Sequence, residues 1–449
     1  MSITQFTLEE VRCFGERQTL EIRPLTFLVG ENSTGKTTAL ACFHVLVNYL
    51  RGRGVDFNEK PSNPHPYSLG TFKDIVRNSN NKEKAFKLGF TSKYANDDIE
   101  WTVEFIERQE AVEPSISLVS IVFPNGEVVF KIKDSLEKPF GMESFDSNRH
   151  QYHLVCNSNI ISQFPLSHIL DNLDHLPINL FKEDLQSAMA LVKYLKSLTN
   201  PIEVMAEPWD LWYNLSILST SPIRSRPERT YDPMREFNDP EGSDIPLLLM
   251  RLDAAQKNEW EGIKKHLVKF GKSSGLFQNI RIKKLGHSLG DPFQLQFKVR
   301  GPSSNIMDVG YGVSQILPVL VQVLYPSISR NNKRTYSMPS YALLQQPEVH
   351  LHPKAQAEFS SLLAKLANQG NQSFIVETHS DYMIDRARIE IRNGNIKPED
   401  VSLIYFEPKG NIVKVHNIGF DEMANLTNVP NHYRQFFLNE SKRLMGFEG

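Results

Sequence analysis

The sequence predicts an α/β fold with a largely parallel sheet, to which an antiparallel β lobe and a helical segment are added. Three observations predict it. A β-rich opening runs into a glycine loop and then a helix, over residues 25–50. Residues 84–133 hold four short segments of period-two alternation, the pattern of half-buried strands. The second half alternates short apolar runs with helical patterns, which is how a parallel sheet covered by helices reads.

In chain order, residues 2–14 (SITQFTLEEVRCF), 18–22 (QTLEI) and 25–30 (LTFLVG) read as three strands, and TTALACFHVLVNYL as the helix that follows. Residues 56–68 hold three prolines and few apolar side chains, so a surface loop is expected there. The segments KAFKLGF, IEWTVEFIE, ISLVSIVF and EVVFKIK form the antiparallel lobe, and residues 160–200 have helical spacing with few strand signals. A helical stretch spans 245–270. The strands NIRIKKL and FQLQFKVRG follow, then a helix entered from IMDVGYGVSQ, a short buried strand YALLQQP, the helix KAQAEFSSLLAKLAN, and the strands SFIVE and VSLIYFE. The expected division is 1–140, carrying the glycine loop and β lobe; 141–275, a helical insertion with an arginine-rich loop; and 276–449, the remaining sheet and its motifs.

Composition narrows the function classes. A chain of 449 residues holds two to four domains or one large domain with insertions, and 40% hydrophobic residues suffice for a real core. Fifty basic against 52 acidic residues give a net charge of −2, which excludes a strongly basic nucleic-acid scaffold. Cys13, Cys42 and Cys156 are too scattered for a zinc site or a disulfide framework and fit a reducing cytoplasm. The N-terminus lacks the charged-then-apolar pattern of a signal peptide, and no stretch approaches the ~20 apolar residues of a membrane helix.

The strongest motif is Gly30-Glu31-Asn32-Ser33-Thr34-Gly35-Lys36-Thr37, which fits G-x-x-x-x-G-K-[ST] at every fixed position. Its glycines let backbone N–H groups turn toward a phosphate, and the following helix adds its positive end. Lys36 would reach the β- and γ-phosphates, and Thr37 would place a hydroxyl on Mg²⁺. Gly30, Asn32, Ser33, Thr34, Gly35, Lys36, Thr37 and Thr38 are the expected nucleotide contacts.

The opening strands, GENSTGKTT, LGTFKDIV at 69–76, SPIRSRPERTYDP at 221–233 and the late block QQPEVHLHP…ETHSDYMI resemble the ABC-type (SMC/OLD-like) AAA-family ATPases of bacteria. Within that group the chain is similar to the stand-alone ATPase subunits of anti-phage defence systems of the Septu or PARIS kind. The likeness runs from about residue 3 to 445. It implies an ABC-ATPase head, with ATP and Mg²⁺ as cofactors. It also implies a head-to-head dimer or larger homo-oligomer, an effector protein such as a nuclease, and a DNA or phage-encoded trigger, with no membrane. The signature position would be Gly310-Tyr311-Gly312-Val313-Ser314-Gln315, where Ser314 would meet the γ-phosphate of a partner head, although the loop departs from the usual signature.

A second departure bears on catalysis. The family ends a buried strand with a Mg²⁺-shell carboxylate followed by a catalytic glutamate, and here those positions are Gln345 and Gln346. An amide oxygen coordinates weakly and is no general base near neutral pH. The nearest carboxylates are Glu348 and Glu377, the latter beside His379, whose family counterpart senses the γ-phosphate. Either Glu348 or Glu377 supplies the base, or hydrolysis is slow and the chain is an ATP-held clamp. His350 and His352 lack a third ligand, so a structural role at the junction outweighs a metal site. Arg224, Arg226 and Arg229 would bind phosphate or pair with the acidic stretch 236–244. No TOPRIM, HNH or nucleophile-elbow pattern is present, which leaves effector chemistry to a partner. The competing readings are an ATPase that clamps DNA ends for repair and a non-hydrolysing ATP-dependent scaffold.

Overall fold

The structure is a computed structural model that describes residues 2–51, 54–60, 63–77, 85–94, 97–108, 112–124, 126–133, 140–146, 151–157, 215–233, 240–288, 290–330, 340–370, 372–433 and 442, 443 and 445. The first strands are β1 (Ser2–Glu9), β2 (Gln18–Glu21) and β3 (Leu25–Gly30), followed by helix α1 (Lys36–Leu50). Then come β4 (Asn58–Lys60), β5 (Asn63–Ser68), the one-turn α2 (Phe72–Ile75), β6 (Ala85–Tyr94), β7 (Asp97–Ile106), β8 (Ser115–Phe123), β9 (Gly126–Lys133), β10 (Phe140–Asp146) and β11 (Gln151–Asn157). The second half holds β12 (Ser216–Thr220), α3 (Ile245–Ala255), α4 (Lys257–Ser274), β13 (Asn279–Lys284), β14 (Phe293–Lys298), β15 (Ser303–Asn305) and α5 (Tyr311–Arg330). It closes with β16 (Ser340–Gln345), α6 (Pro353–Asn368), β17 (Ser373–Glu377), α7 (Asp381–Arg392), β18 (Val401–Lys409), β19 (Ile412–Phe420) and β20 (Leu426–Thr427).

The central sheet runs β12-β16-β17-β3-β18-β19-β20, with its first five strands parallel. Such strands are covered on both faces, which is why β3 (LTFLVG) and β16 (SYALLQ) are apolar runs rather than alternating ones. An eight-stranded sheet, β10-β11-β9-β8-β7-β6-β1-β2, forms the second layer. Between the two lies α1, buried at every position except Thr37, as expected of a helix apolar on all sides. Phe43 of α1 packs edge-on to Phe6 of β1 and Tyr341 of β16, at 5.3 Å from each. That ring ties the layers together, and its loss would cost about 3–5 kcal/mol. The opposite face of the central sheet carries α3–α7 and the small β13-β14-β15 sheet over a second apolar core. Residues Tyr311–Ile328 of α5 are long and apolar enough to span a bilayer, but 61% of that stretch is buried inside the molecule, the pattern of a core helix.

Three expectations change. The first strand ends at Glu9, because Glu10 and Arg12 take left-handed conformations (φ 56° and 46°) that break the pleat. Residues 56–68 are not a surface loop. Most of them form the β4–β5 hairpin, in which His65 and Tyr67 are buried, as is Phe57 just before it. Pro64 and Pro66 alternate with His65 and Tyr67, so the strand's two buried side chains share one face and its prolines the other. Strands β10 and β11 extend the lobe beyond residue 133, and β11 pairs parallel with β9. The helical expectation for 160–200 lies outside the described residues.

Candidate functional site: the phosphate loop and the strand ends

The loop after β3 has the backbone its sequence demands. Gly30, Ser33 and Gly35 have φ of 146°, 61° and 84°. A Cβ on Gly30 would stand 2.7 Å from the Phe406 carbonyl oxygen, and one on Gly35 2.6 Å from Cys13 Sγ. Glycine is therefore required at both places by space as well as by conformation. Glu31, Asn32 and Ser33 are exposed at the rim, and Thr34 is buried, its hydroxyl donating to Glu31 O at 2.8 Å. Lys36 is 3% exposed, with Nζ donating to Gly30 O (3.1 Å) and Glu31 O (2.6 Å). Burial holds its pKa below the ordinary lysine value, opposed by the charges of Glu377 and Glu31. A phosphate would compete with those two carbonyls for the ammonium and pay back its lost solvation.

Register places the strand ends. Gln345, Glu377 and Leu28 lie side by side across β16, β17 and β3. In-register residues of parallel strands point to the same face, and for Leu28 that face is the α1 side. Glu377 therefore meets α1, and Thr37 Oγ1 lies 2.8 and 3.1 Å from its two oxygens. Burial raises the Glu377 pKa, while Thr37 and Lys36 pull it down. These hard oxygen donors beside a hydroxyl suit Mg²⁺. Gln345, 4% exposed, faces inward under the same sheet face.

Gln346 is left-handed (φ 40°) with its N–H donating to Glu377 O at 2.9 Å. Glu348 follows, 7% exposed. One of its oxygens accepts the His379 backbone N–H at 2.8 Å, and the other makes no hydrogen bond of ordinary geometry. Burial raises its pKa against the pull of these backbone bonds and of Arg224. His379 is exposed at the rim. Partial desolvation and the Lys36 charge hold its pKa below the usual histidine value.

The arginine-rich segment splits by residue. Arg224 is 4% exposed and donates from Nη2 to Gln345 O (3.2 Å) and Gln346 O (3.3 Å). Burial lowers its pKa to about 10. Arg229 makes a two-toothed pair with Asp308, ahead of the signature-like loop, and not with the expected acidic stretch, of which 236–239 lie outside the described residues. Arg226 is exposed. In the signature-like loop, Tyr311 is half exposed and stacks edge-on to His350 at 4.8 Å. A Cβ on Gly312 would touch His350 O at 2.9 Å. Ser314 is 5% exposed and its hydroxyl donates to Tyr311 O at 2.8 Å. His352 caps α6 through Nδ1, and no group of three metal-ligating side chains occurs among the described residues.

Sequence reading missed Arg12. Its guanidinium reaches Thr38 Oγ1 (3.2 Å), Leu69 O (2.7 Å) and Asp74 O (3.2 Å). It thus ties the 69–76 segment to the first turn of α1. The signal in the sequence was slight, one arginine in a short β-rich segment.

A glycine-loop cradle at the carboxyl end of a parallel strand, opening a helix and faced by buried carboxylates from neighbouring strand ends, defines a phosphate-loop nucleotide-binding α/β protein. The model of the AAA ATPase domain matches residues 1–384, and the chain belongs to that family. Among solved structures, the SmcHead bound to the C-winged helix domain of ScpA is 12% identical, covering 94% of this chain and 99% of that one, with a TM-score of 0.44. The SMC head domain from Thermotoga maritima is 10% identical over 92% and 98%, at 0.40. An Smc head with an extended coiled coil, bound to the C-terminal domain of ScpA derived from Pyrococcus furiosus, is 11% identical over 98% and 99%, at 0.39. No curated protein matches the chain.

Proposed function

We propose that the chain is a Mg²⁺-dependent ATPase that pairs with a second copy and uses its nucleotide state to control a partner effector, a nuclease in anti-phage defence being the candidate. The observation that carries the ATPase reading is the meeting of Thr37 with Glu377, the last residue of the neighbouring strand β17, close to the buried Lys36. Gly30, Asn32, Ser33, Thr34, Gly35 and Thr38 would line the phosphates, Lys36 would hold the β- and γ-phosphates, and Thr37 with Glu377 would hold the metal. Mg²⁺, when bound, supplies charge neutralisation on the transferred phosphate. Glu377 thereby takes the place that the sequence pattern offered to Gln345, whose side chain faces inward. Glu348, buried and fixed at one oxygen, would accept the proton of the attacking water, and Gln346 and His379 would orient the groups at the rim.

Pairing draws support from Ile223, Met307 and Tyr311, large apolar side chains exposed on the arginine-rich segment, ahead of the signature-like helix and at its first residue. A trans role for Ser314 requires its hydroxyl to leave the Tyr311 carbonyl. The second reading, a nucleotide-locked clamp without turnover, is favoured by the paired glutamines at the strand end. ATP turnover by the purified chain, with Lys36→Ala as control, separates the two. Lys36-dependent phosphate release supports the ATPase. Tight ATP binding without release supports the clamp, and absence of ATP binding refutes both. Sedimentation with and without ATP tests pairing, and co-purification with a neighbouring gene product tests the effector.

A further inference from the structure

Arg224 sits where two strand ends meet. Strand β12 pairs parallel with β16, with Thr220 beside Leu344, so the chain leaving β12 emerges next to the turn leaving β16. Arg224 comes four residues after β12, in a segment that is neither helix nor strand. Backbone bonds fix it on both sides: Ser221 N–H donates to Pro240 O at 3.3 Å, and Ser225 N–H to Glu241 O at 3.2 Å. Pro222 and Pro227 restrict the backbone further. A guanidinium on so stiff a segment has little freedom in what it reaches.

It reaches the turn after β16. Arg224 Nη2 donates to both Gln345 O (3.2 Å) and Gln346 O (3.3 Å). That turn needs holding. Gln346 and His350 are left-handed (φ 40° and 66°), a conformation that sterics disfavour for residues with a Cβ, and Pro347 between them has no N–H to give. Its internal bonds are Val349 N–H to Gln346 O (3.2 Å) and Leu351 N–H to Glu348 O (3.0 Å), and the Gln346 N–H goes to Glu377 O (2.9 Å). Gln346 O thus accepts from Val349 and from Arg224 together. Glu348 follows two residues on, with one oxygen on the His379 N–H. The cation is costly where it lies: it is 4% exposed, and its Nε and Nη1 make no hydrogen bond. A well-packed apolar side chain of similar volume would be the more stable filling. What only the guanidinium supplies is a charged donor that holds two successive carbonyls.

We propose that Arg224 is a positioning residue for hydrolysis. It pins the Gln345 and Gln346 carbonyls, and so fixes the turn that aims the Glu348 carboxylate at the attacking water. Arg224 touches neither nucleotide nor water and acts through Glu348. This inference rests on the reading of Glu348 as the base.

The test is Arg224→Gln in the full chain, alone and combined with Glu348→Gln. Melting confirms folding, and single-turnover phosphate release and ATP affinity are then measured. Alone, Arg224→Gln is expected to slow release by about 10–100-fold, the scale of a catalytic group displaced by an ångström. ATP affinity is expected to stay within about twofold, because the phosphate loop keeps all its bonds, so the loss falls on rate and not on binding. On the Glu348→Gln chain the same substitution is expected to change the rate by less than about twofold, since the group it positions is already gone. Arg224→Lys keeps the charge and one donor to a carbonyl, so it is expected to recover part of the rate, and it carries the same comparison if Arg224→Gln does not fold. A wild-type rate in a folded Arg224 variant overturns the inference and leaves the base reading standing. An undiminished loss on the Glu348→Gln chain, or a fall in ATP affinity equal to the fall in rate, shows a role independent of Glu348 and overturns it too. A Glu348→Gln chain that hydrolyses ATP as wild type does, or a wild type that binds ATP without turnover, overturns the base reading and this inference together.

Discussion

Replacing Glu348 by glutamine separates the two carboxylates most sharply. The amide has the same shape, and its oxygen can still accept the 2.8 Å bond from the His379 N–H. What disappears is a charge that can take a proton. Loss of a general base costs about 10²–10⁴ in rate, equal to roughly 2.7–5.4 kcal/mol of barrier at 1.36 kcal/mol per tenfold. ATP affinity is expected to hold, since no hydrogen bond joins Glu348 to the phosphate loop. Stability moves little, for two opposed reasons. A carboxyl whose folded pKa is raised contributes stability below its unfolded pKa and loses it as pH rises through the folded value, so at neutral pH the buried charge is a burden that glutamine removes. Against that, Arg224 loses the neighbouring charge that offsets its own burial. The net is about 1 kcal/mol or less in either direction. Single-turnover phosphate release, equilibrium binding of a fluorescent ATP analogue and calorimetric melting measure the three quantities. Turnover within threefold of wild type would refute Glu348 as the base.

Glu377→Gln should act differently: it should raise the half-saturating Mg²⁺ about 10–100-fold while leaving metal-free ATP binding nearly intact, and a variant with wild-type metal response would remove Glu377 from the metal site. Because burial raises the pKa of Glu348, its proton persists to higher pH than on an ordinary carboxylate, so the acid limb of kcat should lie above the usual carboxylate range and vanish in Glu348→Gln; a limb in the ordinary range would contradict the burial argument. Gly30→Ala places a Cβ 2.7 Å from Phe406 O at φ 146°, so melting should fall by several degrees and ATP binding should be lost, whereas Gly310→Ala, with open space around it, should melt as wild type.

Local chemistry made much of the site legible. The eight-residue loop announces itself because each fixed position answers a local need: φ above zero at Gly30 and Gly35, an ammonium one residue into the helix, and a hydroxyl next to it. The apolar runs of β3, β16 and β17 were legible for a similar reason, since a strand covered on both faces has no polar side to interrupt it. The hairpin at 58–68 was hidden because proline content outweighs a two-residue alternation of His65 and Tyr67 that gains its meaning only from the core it enters.

The sequence by itself determined the phosphate loop, the α/β alternation and the short set of carboxylates from which a base could come. Those features are fixed by neighbours a few residues apart. Which carboxylate faces what was decided by the tertiary structure. Thr37 and Glu377 are 340 residues apart and meet only because β17 is seated between β16 and β3. The same seating buries Gln345 beside Glu377 on the α1 face and leaves Glu348 to the His379 N–H. Burial then shifted their pKa values: those of Arg224 and Lys36 are pushed down and those of Glu348 and Glu377 pushed up by a lack of water that no residue spacing records.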